Sequence, residues 1–199
     1  MPDDQKTHKN PALRVANYKP SSSVDKNSAP VPQKNGNDFK PAVFELEDKK
    51  WKIEYQVKQE NLIVDQTDMK QSVYVYKCRE CTIIVKGKVN SILIDSCNRV
   101  GILFDDVLST VEFINSTNVQ MQATGKVPTV AIEKTDGCQV YLSKSSIDAE
   151  IVSSKSSSMN VLVVNEAGDD FDEFPVPEQF KTRIDSKTRK LVTTATESC

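Results

Sequence analysis

Hydrophobic and polar positions alternate in short clusters, and the clusters recur every 19 residues from about residue 72 onward. Within a cluster the apolar residues fall at every second position, which is the spacing of a strand that buries one face. The repeat is clearest in two columns, Val75-Ile94-Phe113-Ile132-Ile151 and Ile83-Ile102-Met121-Val140-Met159. So short a repeat with two strands cannot bury its own apolar face and must stack on a copy of itself. The pattern therefore predicts an all-β fold, a parallel β-helix.

Small residues occupy two further columns, Cys78-Cys97-Ser116-Thr135-Ser154 and Cys81-Val100-Val119-Cys138-Ser157. Cys78 and Cys81 also form a Cys-x-x-Cys pair, a spacing found in redox motifs and in half of a zinc site. The columns favour a simpler interpretation, in which cysteine serves as a small buried hydrophobe. The only histidine, His8, lies far from this pair in the polar leader. We therefore expect neither a bound metal nor a cofactor.

Both ends of the predicted stack need a cover, because end coils expose unpaired backbone edges. Leu62 and Val64 fall on the columns of the second cluster, so one partial coil precedes Ser72 and the stack has about six coils. Trp51, the only tryptophan, is predicted to cap the first coil. At about 4.8 Å per layer, such a stack is about 29 Å long.

The repeat is lost after the sixth coil. The acidic stretch 165–180 is predicted to be an ordered loop held by three aromatic side chains, Phe171, Phe174 and Phe180. Residues 181–196 contain two β-prone arms around a polar turn near Asp185, which predicts a C-terminal hairpin. An isolated two-stranded hairpin is marginal in water, so it must cover its own last coil or pair with a second molecule.

Composition divides the chain into two parts. Residues 1–38 are rich in Lys, Asn, Ser and Pro and contain few large apolar side chains, which predicts a disordered linker. Residues 39–199 contain the predicted β-helix domain, including the hairpin. The formal net charge of −2 provides no global field that would attract nucleic acid or an anionic membrane. The chain has neither a long apolar run nor the pattern of a secretory signal, which favours a cytoplasmic location.

Candidate catalytic groups are scattered along the chain. Carboxylates occur at Asp105-Asp106, Asp136 and Asp169-Asp170, on different predicted coils. An enzyme needs convergent acids, bases or a metal, so we expect no catalytic residues and no enzymatic activity. The polar columns then leave two interpretations. They form either a solvated face whose lysines deter edge pairing or a flat protein-binding surface.

Several segments that do not follow the repeat carry a resemblance to a known family. They are Lys86-Gly-Lys-Val-Asn-Ser91, Val127-Pro-Thr129, Lys134-Thr-Asp-Gly137, Tyr141-Leu-Ser-Lys144, Ser156-Ser-Ser-Met-Asn-Val161, Glu173-Phe-Pro-Val-Pro-Glu-Gln-Phe-Lys-Thr182 and Lys190-Leu-Val-Thr-Thr194. These segments resemble the C-terminal domain of cyclase-associated proteins over about residues 40–199. In the leader, Asp3-Asp4 and Lys6-Thr-His-Lys-Asn-Pro-Ala-Leu13 resemble the end of that family's actin-binding WH2 segment.

The resemblance implies a right-handed parallel β-helix that forms a homodimer by exchanging its C-terminal hairpin. It also implies binding to monomeric actin with a preference for the ADP form, promotion of exchange to ATP-actin, and help in releasing cofilin. In this way the domain would recycle actin monomers in the cytoplasmic actin cytoskeleton. No covalent catalysis is needed, because contacts that favour the nucleotide-loosened state of actin shift its population.

The family motifs also suggest site residues. For actin binding they supply Lys86, Asn90, Asn115, Lys134, Asp136, Lys144, Ser145, Lys155, Ser157 and Asn160, together with the tail residues Thr196, Glu197 and Ser198. For dimerisation the hairpin supplies Lys181, Ile184, Leu191, Val192, Thr193 and Thr194.

Two other functions remain open at this point. The first is a β-helix that activates a GTPase, as in the related domains of the tubulin-cofactor-C type. Those domains place an arginine on the β-face, whereas Arg79 and Arg99 are both predicted at coil corners. The second is a passive dimerising scaffold with no effect on the nucleotide of actin.

Overall fold

The computed structural model describes residues 40–168 and 170–196. One seven-stranded sheet, sheet A, has the spatial order β1 (Val43–Glu47), β2 (Lys50–Glu54), β4 (Ser72–Tyr76), β6 (Ser91–Asp95), β8 (Thr110–Ile114), β10 (Thr129–Glu133) and β12 (Glu150–Ser154). A second, sheet B, has the order β14 (Phe171–Pro175), β13 (Ser157–Val164), β11 (Asp136–Leu142), β9 (Thr117–Ala123), β7 (Asn98–Val107), β5 (Arg79–Val89) and β3 (Leu62–Val64). A two-stranded sheet contains β15 (Phe180–Ile184) and β16 (Leu191–Ala195).

Each coil contributes one strand to each large sheet, and successive coils pair in parallel. Six coils follow one another, from β2–β3 to β12–β13. The inward columns of the two sheets form one hydrophobic core, in which Phe104, Phe113 and Met121 are among the largest fully buried side chains. The predicted β-helix of about six coils is therefore confirmed. In the described part of the chain, no helix is long and apolar enough to cross a bilayer.

The 19-residue repeat holds through the middle coils and fails at the last one. Thr129 lies opposite Thr110, 19 residues earlier, but Glu150 lies opposite Thr129, 21 residues later. The loop before β12 is longer than the loops before β6, β8 and β10, and it contains a 3₁₀ turn, Lys144–Ser146. The extra residues are absorbed there, so both strands of the last coil are shifted by two positions.

That shift corrects the predicted columns in the last coil. Ile151 lies opposite Val130 instead of Ile132, and Met159 lies opposite Cys138 instead of Val140. Ser157 is paired with Asp136, outside the column of Cys138. Because a shift of two preserves the alternation of faces, apolar residues still point inward and the sequence pattern alone does not reveal the change.

Each end of the stack is covered by an antiparallel strand in one of the two large sheets. β1 pairs antiparallel with β2, and β14 pairs antiparallel with β13. Trp51 is therefore not the cap itself, because it lies within β2 opposite Val73, where it packs against Phe44 of β1. The stretch predicted as a loop contains the strand β14. Its Phe171 packs edge-on against Tyr141, with ring centroids 5.1 Å apart, whereas Phe174 and Phe180 are exposed.

The predicted C-terminal hairpin is confirmed. β15 and β16 pair in an antiparallel register with Thr182 opposite Thr193, and the turn spans residues 185–190. The Asp185 carboxylate accepts hydrogen bonds from the backbone N–H groups of Lys187 and Thr188, which fixes this turn. These bonds, the Thr188 backbone bond above all, hold the pKa of Asp185 below its ordinary value.

Candidate functional site

The second to sixth coils pass from sheet A to sheet B through two-residue turns, whereas the first coil uses the longer connection 55–61. These connections form one side of the solenoid, which we call the short-turn edge. The first residue of each turn has a positive φ, and the series contains Tyr55, Lys77, Ser96, Asn115, Lys134 and Lys155. Asparagine tolerates this conformation well, but for a lysine it costs about 1 kcal/mol or more. Turn geometry therefore fixes the direction of these side chains.

A buried ladder of hydroxyl groups supports the short-turn edge from inside. Ser116 Oγ accepts a hydrogen bond from the Cys97 N–H at 3.1 Å, and Thr135 Oγ1 accepts one from the Ser116 N–H at 3.4 Å. Ser156 Oγ continues the ladder by accepting from the Thr135 N–H. The column predicted as Cys78-Cys97-Ser116-Thr135-Ser154 therefore ends at Ser156 instead of Ser154, because the last coil is shifted by two residues. Since each hydroxyl satisfies a backbone donor of the previous coil, the ladder locks successive turns together.

Five of the predicted actin-binding residues lie together on the short-turn edge of the last three coils. Ser157 Oγ donates to Asp136 Oδ1 at 2.7 Å, which joins two neighbouring coils. Lys134 Nζ lies 3.5 Å from a carboxylate oxygen of Glu133, and both side chains are about half exposed. We call this cluster the turn patch, and it contains Asn115, Lys134, Asp136, Lys155 and Ser157. At about 4.8 Å per coil, it extends about 10 Å along the solenoid.

Four other predicted residues do not join the turn patch. Lys86, Asn90, Lys144 and Ser145 lie on the opposite side, which we call the loop edge, where each coil passes from sheet B back to sheet A. Lys86 lies near the end of β5 and Lys144 lies in the loop after β11, three coils apart. Three coil spacings amount to about 14 Å, so even these four form no single patch.

The acidic pair of the loop edge has a structural role. Asp105 accepts hydrogen bonds from the Gly87 N–H at 2.7 Å and from Thr124 Oγ1 at 2.8 Å. Asp106 accepts from the Lys126 N–H at 2.7 Å. The two carboxylates therefore brace neighbouring loops by satisfying backbone donors.

The outer face of sheet B carries a groove that the sequence analysis missed. Its volume is about 420 Å³, and it is lined by Asn118, Val119, Gln120, Gly137, Cys138, Gln139, Ser158 and Asn160. Only Asn160 of this set was predicted as a site residue. The signal was the outward column Gln120, Gln139 and Asn160, whose members are paired between neighbouring strands. The two-residue shift of the last coil hides this column from a strict 19-residue alignment.

The predicted dimerisation residues divide between the two faces of the hairpin. Ile184, Leu191 and Thr193 lie on one face, and Lys181, Val192 and Thr194 lie on the other. The first face also carries Phe180, which the sequence analysis did not select, and it is therefore the apolar one. Its large side chains are highly exposed, 59% for Phe180 and 70% each for Ile184 and Leu191.

The end of the chain is described only as far as Thr196. Its backbone N–H and its hydroxyl both donate to the carbonyl of Gln179, at 2.9 and 3.1 Å, which closes the hairpin. The predicted tail residues Glu197 and Ser198, and the whole WH2-like leader, lie outside the described residues.

Four cysteines, Cys78, Cys81, Cys97 and Cys138, are buried and unpaired in the core. Burial raises the pKa of Cys81, and it raises that of Cys138 to about 12. The hydrogen bond to Cys78, followed by burial, raises the pKa of Cys97 as well. The same hydrogen bond with Cys97 lowers the pKa of Cys78. All four thiols are buried and therefore lack the exposure of reactive cysteines. Within residues 40–168 and 170–196, no group of three or more His, Cys, Asp or Glu side chains is placed to hold a metal ion.

The family model "Adenylate cyclase associated (CAP) C terminal" matches residues 40–198, which is most of the chain and all of the solenoid and hairpin just described. The chain belongs to the family of cyclase-associated protein C-terminal domains. The alternative hypothesis of a GTPase-activating domain requires an arginine on the β-face. Arg79 and Arg99 instead lie at the short-turn edge, at the starts of β5 and β7. There Arg99 is paired with Glu80 at 3.5 Å.

Relatives of this cyclase-associated domain are close in sequence. It is 54% identical over 200 residues to adenylyl cyclase-associated protein 1 of Homo sapiens, an alignment that covers 98% of this chain and 42% of that protein. It is 47% identical over 197 residues to adenylyl cyclase-associated protein 2 of Homo sapiens, with coverage of 98% and 40%. The chain therefore spans about two fifths of the length of these curated relatives.

A solved structure supports the fold assignment. The crystal structure of cyclase-associated protein from Cryptosporidium parvum superimposes with a TM-score of 0.76 at 32% sequence identity, covering 79% of this chain and 96% of that one. The fold of this cyclase-associated domain is thus shared with a solved structure over about four fifths of the chain.

Proposed function

We propose that this chain binds monomeric actin, prefers the ADP form, promotes exchange to ATP-actin and helps cofilin to leave. The observation that carries the proposal is the family match over residues 40–198, since the sequence motifs of this family imply actin recycling. The mechanism is differential binding, in which contacts stronger to the nucleotide-loosened state of actin shift actin toward that state. The nucleotide belongs to actin, so the chain needs neither a cofactor nor catalytic residues, and it acts in the cytoplasm on the actin cytoskeleton.

The turn patch is the surface best suited to this role. Asn115, Lys134 and Lys155 are held at turn positions with positive φ, so their side chains are directed by the backbone. The patch presents cations, a carboxylate and neutral polar groups within about 10 Å, which suits a mixed polar protein surface. The predicted residues of the loop edge lie on the opposite side of the solenoid, so we expect them to contribute less to binding of an actin monomer that covers the turn patch. They are Lys86, Asn90, Lys144 and Ser145.

Nucleotide exchange provides the test. A fluorescent ATP analogue should load onto ADP-actin faster when the chain is present at micromolar concentration, and Lys134→Ala together with Lys155→Ala should remove most of this acceleration. Lys126→Ala is the matched control, because Lys126 is an exposed lysine of the loop edge. No acceleration by the unaltered chain would refute the proposal. Repeating the assay with cofilin-bound ADP-actin tests the proposed release of cofilin. If the chain helps cofilin to leave, it should accelerate nucleotide exchange by a larger factor on cofilin-bound actin than on free ADP-actin.

We propose further that the chain forms a homodimer through the hairpin. Among the described residues, β15 and β16 pair only with each other, and their apolar face is uncovered. Within residues 40–168 and 170–196, sheet A ends at β12 with no strand beyond it, so the last coil offers an open edge. Charge supports an exchange of hairpins between two chains, since the hairpin is basic and the segment around β14, which the hairpin of a second chain would approach, is acidic. A chain truncated after Phe180 should sediment as a monomer, and a truncated chain that stays dimeric would contradict the assignment.

A further inference from the structure

We infer that the groove on the outer face of sheet B, here called the amide groove, holds an extended main-chain segment of the bound actin monomer. The inference rests on the proposed actin binding and names the part of the partner that this surface recognises. It assigns a role to Gln120, Gln139 and Asn160 beyond that of a solvated strand face.

The amide groove contains one outward amide side chain from each of three consecutive strands. Gln139 of β11 lies opposite Gln120 of β9 on one side and opposite Asn160 of β13 on the other. Neighbouring members are therefore about 4.8 Å apart along the solenoid axis. Asn118 and Ser158 extend the polar lining toward the short-turn edge.

The chemistry of the lining fits a peptide backbone. Among the described residues, no carboxylate, ammonium or guanidinium group lines the groove. Each amide side chain offers both donors and an acceptor, which matches the single donor and single acceptor of a peptide unit. Within the described part of the chain, Asn118, Gln120 and Asn160 have no hydrogen-bond partner for their side chains. In the same part of the chain, Gln139 Oε1 accepts only from Tyr141 Oη, at a long 3.3 Å.

The floor of the amide groove is open to close approach. Gly137 has a φ of +76°, and a Cβ built on it would lie 3.0 Å from Asn118 Oδ1. The side chains of Val119 and Cys138 point into the core, so at these positions only backbone faces the groove. Asn118 and Ser158 also have a positive φ at the equivalent positions, and the missing Cβ of Gly137 leaves room for the Asn118 side chain of the neighbouring coil.

The amide groove is continuous with the turn patch. Asp136 precedes Gly137 in the chain, and Ser157 precedes Ser158, so the polar cluster ends where the groove begins. A single partner can therefore cover both surfaces. In this arrangement the lysines of the patch provide charge-dependent contacts, and the groove adds uncharged hydrogen bonds that fix the position of the partner.

Binding of ADP-actin monomers, measured at low and at high salt, tests this inference. The double variant Gln120→Ala/Gln139→Ala should weaken binding about tenfold, because two hydrogen bonds to the partner are lost. The fold loss should be the same at both salt concentrations, since no charge is removed. The matched control is Gln122→Ala. Gln122 also belongs to β9 and faces outward, but it does not line the groove. Its substitution should leave affinity unchanged.

A second variant, Gln139→Arg, tests the groove in a different way, by obstruction instead of by loss of hydrogen bonds. Its long charged side chain fills part of the groove and should weaken actin binding at least as much as the double variant does. Wild-type affinity in both groove variants, or an equal loss in Gln122→Ala, would overturn the inference while leaving actin binding intact. If the groove variants change the sedimentation of the chain and leave actin affinity unaltered, the groove binds a second copy of the chain. That result would also overturn the inference. If the unaltered chain binds no actin, the proposed function fails together with the inference.

Discussion

The apolar face of the hairpin leads to a quantitative prediction for the dimer. Ile184 and Leu191 are paired across the two strands and are each 70% exposed. We expect that replacing both with serine abolishes dimerisation, because the substitution removes the apolar surface that a partner would cover. The hairpin itself should persist, since its backbone pairing and the Asp185 turn are unchanged.

The magnitude follows from the exposed fraction. Complete burial of a leucine or isoleucine side chain contributes about 1.5–3 kcal/mol, so covering the part that is still exposed contributes roughly 1–2 kcal/mol for each residue. A dimer contains two copies of each side chain, and the double variant therefore loses roughly 4–8 kcal/mol of association energy. At about 1.4 kcal/mol for each factor of ten, Kd should rise about a thousandfold or more.

Sedimentation velocity over a range of micromolar concentrations measures this change directly. Val192→Ser is the control, because it is the same kind of substitution on the opposite face of β16, and it should shift Kd far less. The reasoning is refuted if Ile184→Ser/Leu191→Ser sediments as the unaltered chain does. It also fails if Val192→Ser dissociates the dimer to the same extent.

Three further predictions concern the interior and the hairpin turn. Ser116→Ala should lower the free energy of unfolding by about 1–3 kcal/mol in urea titrations, because the buried Cys97 N–H loses its acceptor. The exposed control Ser109→Ala should change it little, and equal effects would contradict the ladder. The Cys138 thiol, with a pKa of about 12, should not react with a disulfide reagent at pH 8 unless denaturant is added, and rapid native labelling would disprove its burial. The Asp185 carboxyl should titrate by NMR with a midpoint below its ordinary 3.8, because the hydrogen bonds of the turn favour its ionised form. This ionised carboxylate stabilises the turn above pH 3.8, and the contribution is lost as the pH falls through the lowered pKa. A midpoint at or above 3.8 would be inconsistent with the turn.

The alternation of apolar residues was enough to predict the repeating strands of the solenoid, their inward faces and the buried cysteines. It succeeded because alternation reflects which side chains one strand turns toward the core, a property that is local to the strand. It did not predict that Met159 lies opposite Cys138. That pairing depends on how many residues the preceding loop accommodates, here with an extra 3₁₀ turn. The same limit hid the amide groove, whose members align only after the shift.

The sequence by itself determined the architecture of this protein, a β-solenoid of six coils with a C-terminal hairpin, and its family. The tertiary structure alone decided which polar residues are neighbours. It divided one predicted set between the turn patch and the loop edge, and it placed Phe180 on the apolar face of the hairpin. The physical reason is that burial of apolar residues repeats along the chain and is visible in it. The proximity of surface residues instead depends on the path of each turn and on the register between coils.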